Sequence, residues 1–322
     1  SSKSGKEALI RQFRSITNAT QADAQRLLRS TNYRLEAATD AFFSDPTAMA
    51  NAAKAAGPSA ADKKAERESR ERLNHLFDKY KGEREREGEC GEKEERDGDQ
   101  INIEGSMAMC EDLEISPEDV VFLPISYYLR SPSIGTFNRE DYVSGWRILG
   151  SCDTVEKQRK ILPSLREELV KNSAVRSDRL ATAAPTEIKG SGGGGGGGGL
   201  FNRVYDFTYG IARPEGQKSL PLETALAFWD LILPASPTFE GNGPEGNFTR
   251  NQLDLWKRFL TERTANRAVS KDTWTQFLDF TREIDQDFKN HDFDAAWPSV
   301  IDDFVEWARE NKGKENGMDT SS

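Results

Sequence analysis

Apolar side chains recur at every third or fourth position through most of the chain, and this spacing restricts the possible folds more than any other feature. Leu73, Leu76, Phe77 and Tyr80 are one example, and a helix places residues at that spacing on one face. Alternation typical of strands occurs only in two short stretches, 101–103 and 135–137. The sequence therefore predicts an all-α protein, in which these two stretches pair as a miniature ribbon between helix pairs.

The aromatic residues divide the chain into two domains. All six tryptophans lie between positions 146 and 307, which indicates that the main core is formed there. The N-terminal part has three short amphipathic segments, and Thr20 followed by Asp23 is a pattern that begins helices. We therefore predict a small three-helix domain at 5–46, an alanine-rich linker at 47–65, a larger helical domain at 66–312 and a disordered tail at 313–322.

Two segments of the larger domain cannot contribute to a core. Residues 81–99 contain nine acidic and five basic residues and no aliphatic side chain, so they predict a solvated, charged loop. Nine of the 26 glycines lie within residues 190–199, which predicts a flexible tether without side chains for recognition. The low hydrophobic content of 36% thus reflects these segments and not a weakly packed fold.

Charge and composition argue against several classes of function. The net charge of −10 disfavours nucleic-acid binding, which requires a basic surface. No apolar run is long enough for a membrane span or a signal core. Three cysteines without C-x-x-C spacing indicate reduced thiols and a location in the cytoplasm or the nucleus. Because His75 and His291 are isolated in sequence and no phosphate-binding glycine motif occurs, we expect no catalytic centre, metal or cofactor.

Several long sequence blocks carry more specific information. Residues 212–229 are A-R-P-E-G-Q-K-S-L-P-L-E-T-A-L-A-F-W, residues 271–274 are K-D-T-W, and residues 296–309 include A-W-P and V-I-D-D-F-V-E-W-A-R. These blocks resemble the potentiating-neddylation domain of the defective-in-cullin-neddylation (Dcn-like) family. The stretch A-T-D-A-F-F-S-D-P at 38–46 resembles the UBA-like domain of the same family. The resemblance covers nearly the whole chain and implies a UBA-like bundle followed by a domain of EF-hand-like helix pairs.

The resemblance also implies a function. Members of this family are non-catalytic co-E3 scaffolds for cullin neddylation. They bind the C-terminal winged-helix region of a cullin and the N-terminally acetylated neddylation E2. They thereby promote transfer of the ubiquitin-like modifier to a cullin lysine beside a RING subunit.

By motif, the cullin-binding residues of the family correspond to Asp272, Ala296 and Asp302. The stretch from 292 to 310 holds six acidic residues and one basic residue. On its helix, Asp302, Glu306 and Arg309 share a face away from a core stripe of Ile301, Phe304, Val305 and Ala308. With Asp303, these acids predict a surface for a basic partner. The alternative is that Asp272 only caps a helix and Asp302 and Asp303 only form a solvated face.

The resemblance implies a second site, an apolar pocket for the acetylated N-terminal methionine of the E2. Acetylation removes a charge that would be costly to bury, so such a pocket can distinguish the modified from the free N-terminus. The alternative for each pocket residue is ordinary core packing. The matching positions are Pro117, Phe122, Ile125, Leu129, Phe137, Ile211, Leu220, Phe228 and Leu231.

The sequence leaves one alternative to the scaffold open and disfavours two others. The UBA-like domain is a candidate site for ubiquitin or the related modifier, although its loop 16–19, Ile-Thr-Asn-Ala, is polar. The chain could accordingly be a ubiquitin-binding adaptor whose helical domain serves another partner. A calcium sensor is disfavoured because the twelve-residue EF-hand ligand pattern does not occur. A hydrolase or transferase is disfavoured because no nucleophile has a neighbouring base.

Overall fold

A computed structural model of the chain describes residues 3–56, 60–81, 99–176 and 198–318. The all-α prediction is confirmed. The described residues divide into two compact units, Ser1–Ser69 and Arg70–Ser322. The predicted charged loop and glycine tether lie almost entirely outside the described residues, as do Cys90 and positions 319–322 of the predicted tail.

The first unit is built around a bundle of four helices. The predicted start of the second helix is present, because the Thr20 side chain accepts a hydrogen bond from the Asp23 N–H. Phe13, Leu28 and Ala38 have no exposed surface and form the centre of this bundle. The helices are α1 (Lys3–Thr17), α2 (Gln21–Ser30), α3 (Leu35–Phe43) and α4 (Pro46–Ala56).

The fourth helix of this bundle lies in the segment that the sequence assigns to a linker. Ala48 and Ala52 on α4 are buried in the same cluster as Phe13 and Phe42. Alanine has high helix propensity, and its small side chain allows close packing. The remainder of the segment leads into the next helix, α5 (Ala60–Lys81), within which the boundary between the two compact units falls.

The second unit begins with helix–loop–helix pairs joined by the expected ribbon. Strands β1 (Gln100–Ile101) and β2 (Phe137–Asn138) pair antiparallel, with Ile101 opposite Phe137. Both of these side chains are fully buried. The pairing confirms that the two predicted stretches form a ribbon, but the strands are shorter and shifted: Ile103 already begins the next helix, and Gly135 and Thr136 precede the second strand. Four helices follow one another around it: α6 (Ile103–Leu113), α7 (Phe122–Tyr128), α8 (Arg139–Ile148) and α9 (Val155–Val170).

Arg139, the first residue of α8, connects the ribbon to α5. Its guanidinium donates hydrogen bonds to Asp99 and Asp78 and lies 4.3 Å from the ring centroid of Phe77. These bonds from Arg139 lower the pKa of the Asp99 carboxyl to about 2. The Asp99 carboxylate therefore remains ionised at neutral pH. Its pairing with Arg139 fixes the chain at the C-terminal end of the charged loop.

The C-terminal part of the second unit contains the aromatic core that the tryptophans predict. The ring centroids of Trp229 and Trp274 are 5.1 Å apart, and those of Trp256 and Phe277 are 4.3 Å apart. Tyr205 lies within this core, accepting a hydrogen bond from Trp229 Nε1 and donating one to the Trp274 carbonyl. The helices are α10 (Leu200–Ala212), α11 (Leu222–Ile232), α12 (Arg250–Arg263), α13 (Lys271–Glu283) and α14 (Ser299–Met318).

Helix α14 extends into the segment predicted as a disordered tail, since it ends at Met318 and not near position 312. Among the helices described, none is long and apolar enough to cross a membrane. The two cysteines within the described ranges, Cys110 and Cys152, are buried free thiols, and burial raises the pKa of Cys110 to about 11. That thiol is therefore protonated at neutral pH and is a poor nucleophile.

Candidate functional site

The last three helices enclose a groove with a volume of about 890 Å³. It is bounded by the C-terminal half of α12, the segment 264–270, the first turn of α13 and the outer face of α14. Its buried lining is apolar and includes Leu260, Val269 and Trp307. Its exposed lining is charged, with Arg263 and Arg267 on one part and four carboxylates on another.

The four carboxylates of this acidic groove belong to Asp272, Asp303, Glu306 and Glu310. All four side chains are exposed, and none has a hydrogen bond or ion pair within the described parts of the chain. By contrast, Asp206 and Asp230 of the same unit form ion pairs with Lys271 and Lys257. Unpaired carboxylates that share a groove create a local negative potential, which attracts a basic partner.

Local sequence explains where these carboxylates lie. Ser270 is the N-cap of α13, where its hydroxyl accepts a hydrogen bond from the Thr273 N–H. Asp272 is therefore fixed in the first turn, where the helix dipole favours an acid. On α14 the predicted core stripe is fully buried, so the acidic positions must lie on the outer side.

The outer side of α14 divides into two parts, which refines the predicted face of Asp302, Glu306 and Arg309. Asp302 lies beside His291, with 2.7 Å between Oδ1 and Nε2. Arg309 donates to the backbone carbonyl of Phe288. Glu306 instead lines the groove with Asp303 and Glu310. Helix geometry allows both groupings, because at 3.6 residues per turn Glu306 lies between Asp302 and Arg309 on one side and Asp303 and Glu310 on the other.

Ala296 lies in the segment between α13 and α14 and is exposed. It is two residues before Pro298, which lines the groove, but it is not itself part of the lining. Of the five residues predicted for cullin binding, the structure thus brings Asp272, Asp303 and Glu306 into one groove. Asp302 is adjacent in sequence to the groove residue Asp303, and Ala296 lies two residues before the groove residue Pro298.

The nine residues predicted for the E2 pocket are mostly closed to solvent. Ile125, Leu129, Phe137 and Leu220 have no exposed surface, and Phe122 and Ile211 are nearly as buried. The rings of Phe122 and Phe137 pack edge to face, with centroids 6.1 Å apart. Phe228 and Leu231 are half-buried on α11, and Pro117 is exposed in the turn before α7. Core packing therefore accounts for six of the nine in this structure.

Three exposed apolar side chains lie near some of these residues. Ile103 and Met107 are four residues apart on α6 and are 58% and 55% exposed. Ile134 is also exposed and precedes Gly135, where an added Cβ would lie 3.5 Å from Cγ1 of Ile103. The helical spacing of Ile103 and Met107 was visible in the sequence, but their exposure depends on which face of α6 packs on α5.

Sequence reasoning also missed three polar residues of the groove region. Arg263 and Arg267 add positive charge to the groove, and His291 contacts Asp302. The sequence predicts no function for His291, because no histidine or cysteine lies near it in sequence. Within the described residues, no group of three or more His, Cys, Asp or Glu side chains is arranged to hold a metal ion.

Comparisons with known proteins agree on one family. A family model described as "Cullin binding" matches residues 182–307, and a UBA-like domain model matches residues 7–49. The chain is 56% identical to Defective in cullin neddylation protein 1 of Mycosarcoma maydis, with all of both chains covered. It is 33% identical to the protein of that name from Cryptococcus neoformans, covering 94% of each chain. It is 32% identical to human DCN1-like protein 3, covering 78% of this chain and 66% of the relative.

Proposed function

Because the chain belongs to the defective-in-cullin-neddylation family, we propose that it binds a cullin at the acidic groove and promotes neddylation of that cullin as a non-catalytic scaffold. The observation that carries the proposal is the set of four exposed carboxylates in a groove of α12–α14, none of which has a partner among the described residues. Of the residues that line the groove, all except Glu310 lie within residues 182–307, the range that the cullin-binding model matches.

The chemistry of the groove indicates what its partner must offer. Asp303 and Glu306 favour lysine or arginine side chains, and the apolar lining at Leu260 and Trp307 favours an aliphatic or aromatic side chain. Arg263 and Arg267 favour an acidic residue on the same partner segment. A basic segment of the cullin C-terminal winged-helix region, carrying one apolar anchor, would satisfy these requirements.

We assign no acid, base or nucleophile of the reaction to this chain. A scaffold accelerates transfer by proximity, since holding two reactants together converts a bimolecular step into an effectively unimolecular one. The cullin lysine, beside its RING subunit, and the E2 thioester would be the two reactants. The protonated Cys110 thiol is consistent with this role, because it does not offer a thiolate for a transfer intermediate. We place the activity in the cytoplasm or the nucleus, where thiols remain reduced.

For the E2 we propose the surface around Ile103, Met107 and Ile134, with the buried pocket residues beneath it. Phe122 and Phe137 pack against each other, so an inserted methionine would have to displace a ring or use the exposed apolar side chains. An acetylated N-terminus suits such a surface, because a free ammonium group would lose its hydration without gaining a partner.

The first experiment measures binding of the chain to an isolated cullin winged-helix fragment by calorimetry at 50 and 500 mM salt. We expect binding at both concentrations, with affinity about tenfold weaker at high salt because ions screen exposed charges. No binding at either concentration would contradict the proposed function. Affinity that is independent of salt would contradict the role of the carboxylates.

A second experiment compares E2 N-terminal peptides with and without the acetyl group. We expect the acetylated peptide to bind at least about tenfold more tightly, because the free amine must be desolvated. Met107→Glu should weaken binding of the acetylated peptide, and Met49→Glu, at an exposed methionine of the first unit, serves as its control. Equal affinity of the two peptides would exclude recognition of the acetyl group.

The first unit offers a second candidate function. Ile16 and Phe43 are exposed apolar residues of the UBA-like unit, and such side chains suit weak binding of ubiquitin or the related modifier. Capture of the chain by immobilised ubiquitin, without binding to the cullin fragment, would favour the adaptor function over the scaffold.

A further inference from the structure

A histidine with a buried side chain contacts Asp302, a carboxylate beside the groove that the sequence predicts to bind the cullin. The Nε2 atom of His291 lies 2.7 Å from Oδ1 of Asp302. The histidine side chain is only 2% exposed, whereas the aspartate side chain is 27% exposed. A partner can therefore reach the Asp302 carboxylate but not the imidazole.

The imidazole is held by aromatic contacts from two elements. Phe280 on α13 packs edge to face with it, with centroids 5.8 Å apart. Phe293 and Trp297, from the segment between α13 and α14, pack at 4.7 and 6.0 Å. These contacts leave the ring little freedom, so the direction of its N–H group is set by packing.

The segment that precedes His291 is fixed by hydrogen bonds in both directions between Asp285 and Asn290. The Asp285 carboxylate accepts hydrogen bonds from the backbone N–H groups of Asp287, Lys289 and Asn290. The Asn290 side chain accepts one from the Asp285 N–H. Partial burial raises the pKa of the Asp285 carboxyl, but the three backbone N–H groups outweigh it and the pKa is lowered. At neutral pH these three hydrogen bonds are therefore accepted by an ionised Asp285 carboxylate.

We propose that His291 is a positioning residue, which fixes the Asp302 carboxylate for a lysine or arginine of the cullin. The proposal rests on the proposed function. A carboxylate only accepts hydrogen bonds, so the Nε2–H of His291 must donate to Oδ1. Within the described part of the chain, Oδ2 has no hydrogen-bond partner. One oxygen is thus held by the protein, and the other is left to pair with the partner.

This arrangement gives Asp302 a role different from that of the groove carboxylates. Asp303 and Glu306 are exposed and have no partner in the part of the chain that the structure describes, so they attract a basic partner from a distance but must be ordered on contact. Asp302 is ordered before the partner arrives, which suits a directional, charge-assisted hydrogen bond. His291 never touches the cullin, and its effect passes through Asp302.

The test measures binding of the full chain to the cullin winged-helix fragment for His291→Phe and His291→Gln. Phenylalanine keeps the aromatic contacts and removes the donor, so we expect about tenfold weaker binding. Glutamine places an amide N–H near the position of Nε2, so we expect affinity within about twofold of the unmodified chain. His75→Gln, at the exposed histidine of α5, is the matched control and should bind normally.

The same substitutions in an Asp302→Ala background separate positioning from general stability. If His291 acts through Asp302, His291→Phe causes no further loss there, within about twofold. An equal loss in both backgrounds would overturn the proposal, as would normal binding by His291→Phe in the otherwise unmodified chain. If His291→Phe does not fold, weak binding by the folded His291→Gln variant would also overturn it. Failure of the unmodified chain to bind the fragment overturns the proposed function as well.

Discussion

Replacing Asp303 and Glu306 together by lysine is expected to weaken binding of the cullin winged-helix fragment by at least about 100-fold, or about 2.7 kcal/mol. Both side chains line the groove, are exposed and have no partner among the described residues. Lysine would place two like charges against the basic groups of the cullin, and like-charge contacts across an interface cost several kcal/mol. Calorimetry measures the affinity, and single-turnover neddylation measures the consequence for modifier transfer.

The matched control makes the same change in net charge at another place on the second unit. Glu215 and Glu223 are exposed acids outside the groove, and their double replacement by lysine should alter affinity by less than about threefold at physiological salt, since screening limits distant charges. If both double variants lose affinity equally, net charge and not the groove governs binding. If neither loses affinity, the cullin binds at another surface.

The folding of the double lysine variant at Asp303 and Glu306 can be measured independently of its cullin affinity. The core stripe of α14 remains unchanged, and Ile301 and Phe304 have no exposed surface. Asp303 lies in the second turn of the helix, beyond the first turn in which the helix dipole stabilises an acid by about 0.3–1 kcal/mol, so its replacement costs less than that. We therefore expect only a small shift in the unfolding temperature, so a large loss of affinity would report on the interface.

The sequence was most informative where a local pattern decides structure. The Thr20 cap depends on residues within one helical turn, and the pairing of Ile101 with Phe137 follows from alternation in two stretches that have few other choices. The buried stripe of α14 was likewise predictable from its 3–4 spacing. In each case the physical cause lies within a few residues of its effect.

The parts that could not be predicted depend on contacts between distant segments. The sequence assigns the alanines of α4 to a linker, because their small side chains give no apolar pattern from which burial of Ala48 against the first three helices could be predicted. The contact between His291 and Asp302 spans an irregular segment whose path is set by Asp285 and Asn290. No periodic pattern encodes such a path, so an apparently isolated histidine proved to be part of the site region.

Gly105→Ala is expected to destabilise the second unit by about 3 kcal/mol, at the upper end for overpacking. The added Cβ would lie 1.9 Å from the backbone carbonyl oxygen of Tyr80 and 2.9 Å from Cγ2 of Ile101. The helices cannot easily separate, because Tyr80 donates a hydrogen bond to Asp112 at the far end of α6. For a domain of this size, the unfolding temperature should fall by about 6–12 °C.

Gly210→Ala is the matched control, because Gly210 is also helical but a Cβ added there meets nothing within 4 Å. Alanine is favoured over glycine inside a helix, so this variant should gain up to about 1 kcal/mol. Thermal or urea unfolding measures the change in the free energy of unfolding of each variant. Changes of opposite sign would show that the close approach of α5 and α6 at Gly105, and not helix propensity, determines the residue type at this position. A loss below about 0.5 kcal/mol for Gly105→Ala would mean that Tyr80 and the ribbon can move aside. The positions of Ile103 and Met107, on the same helix, would then be adjustable as well, and a rigid surface for the E2 could not be assumed.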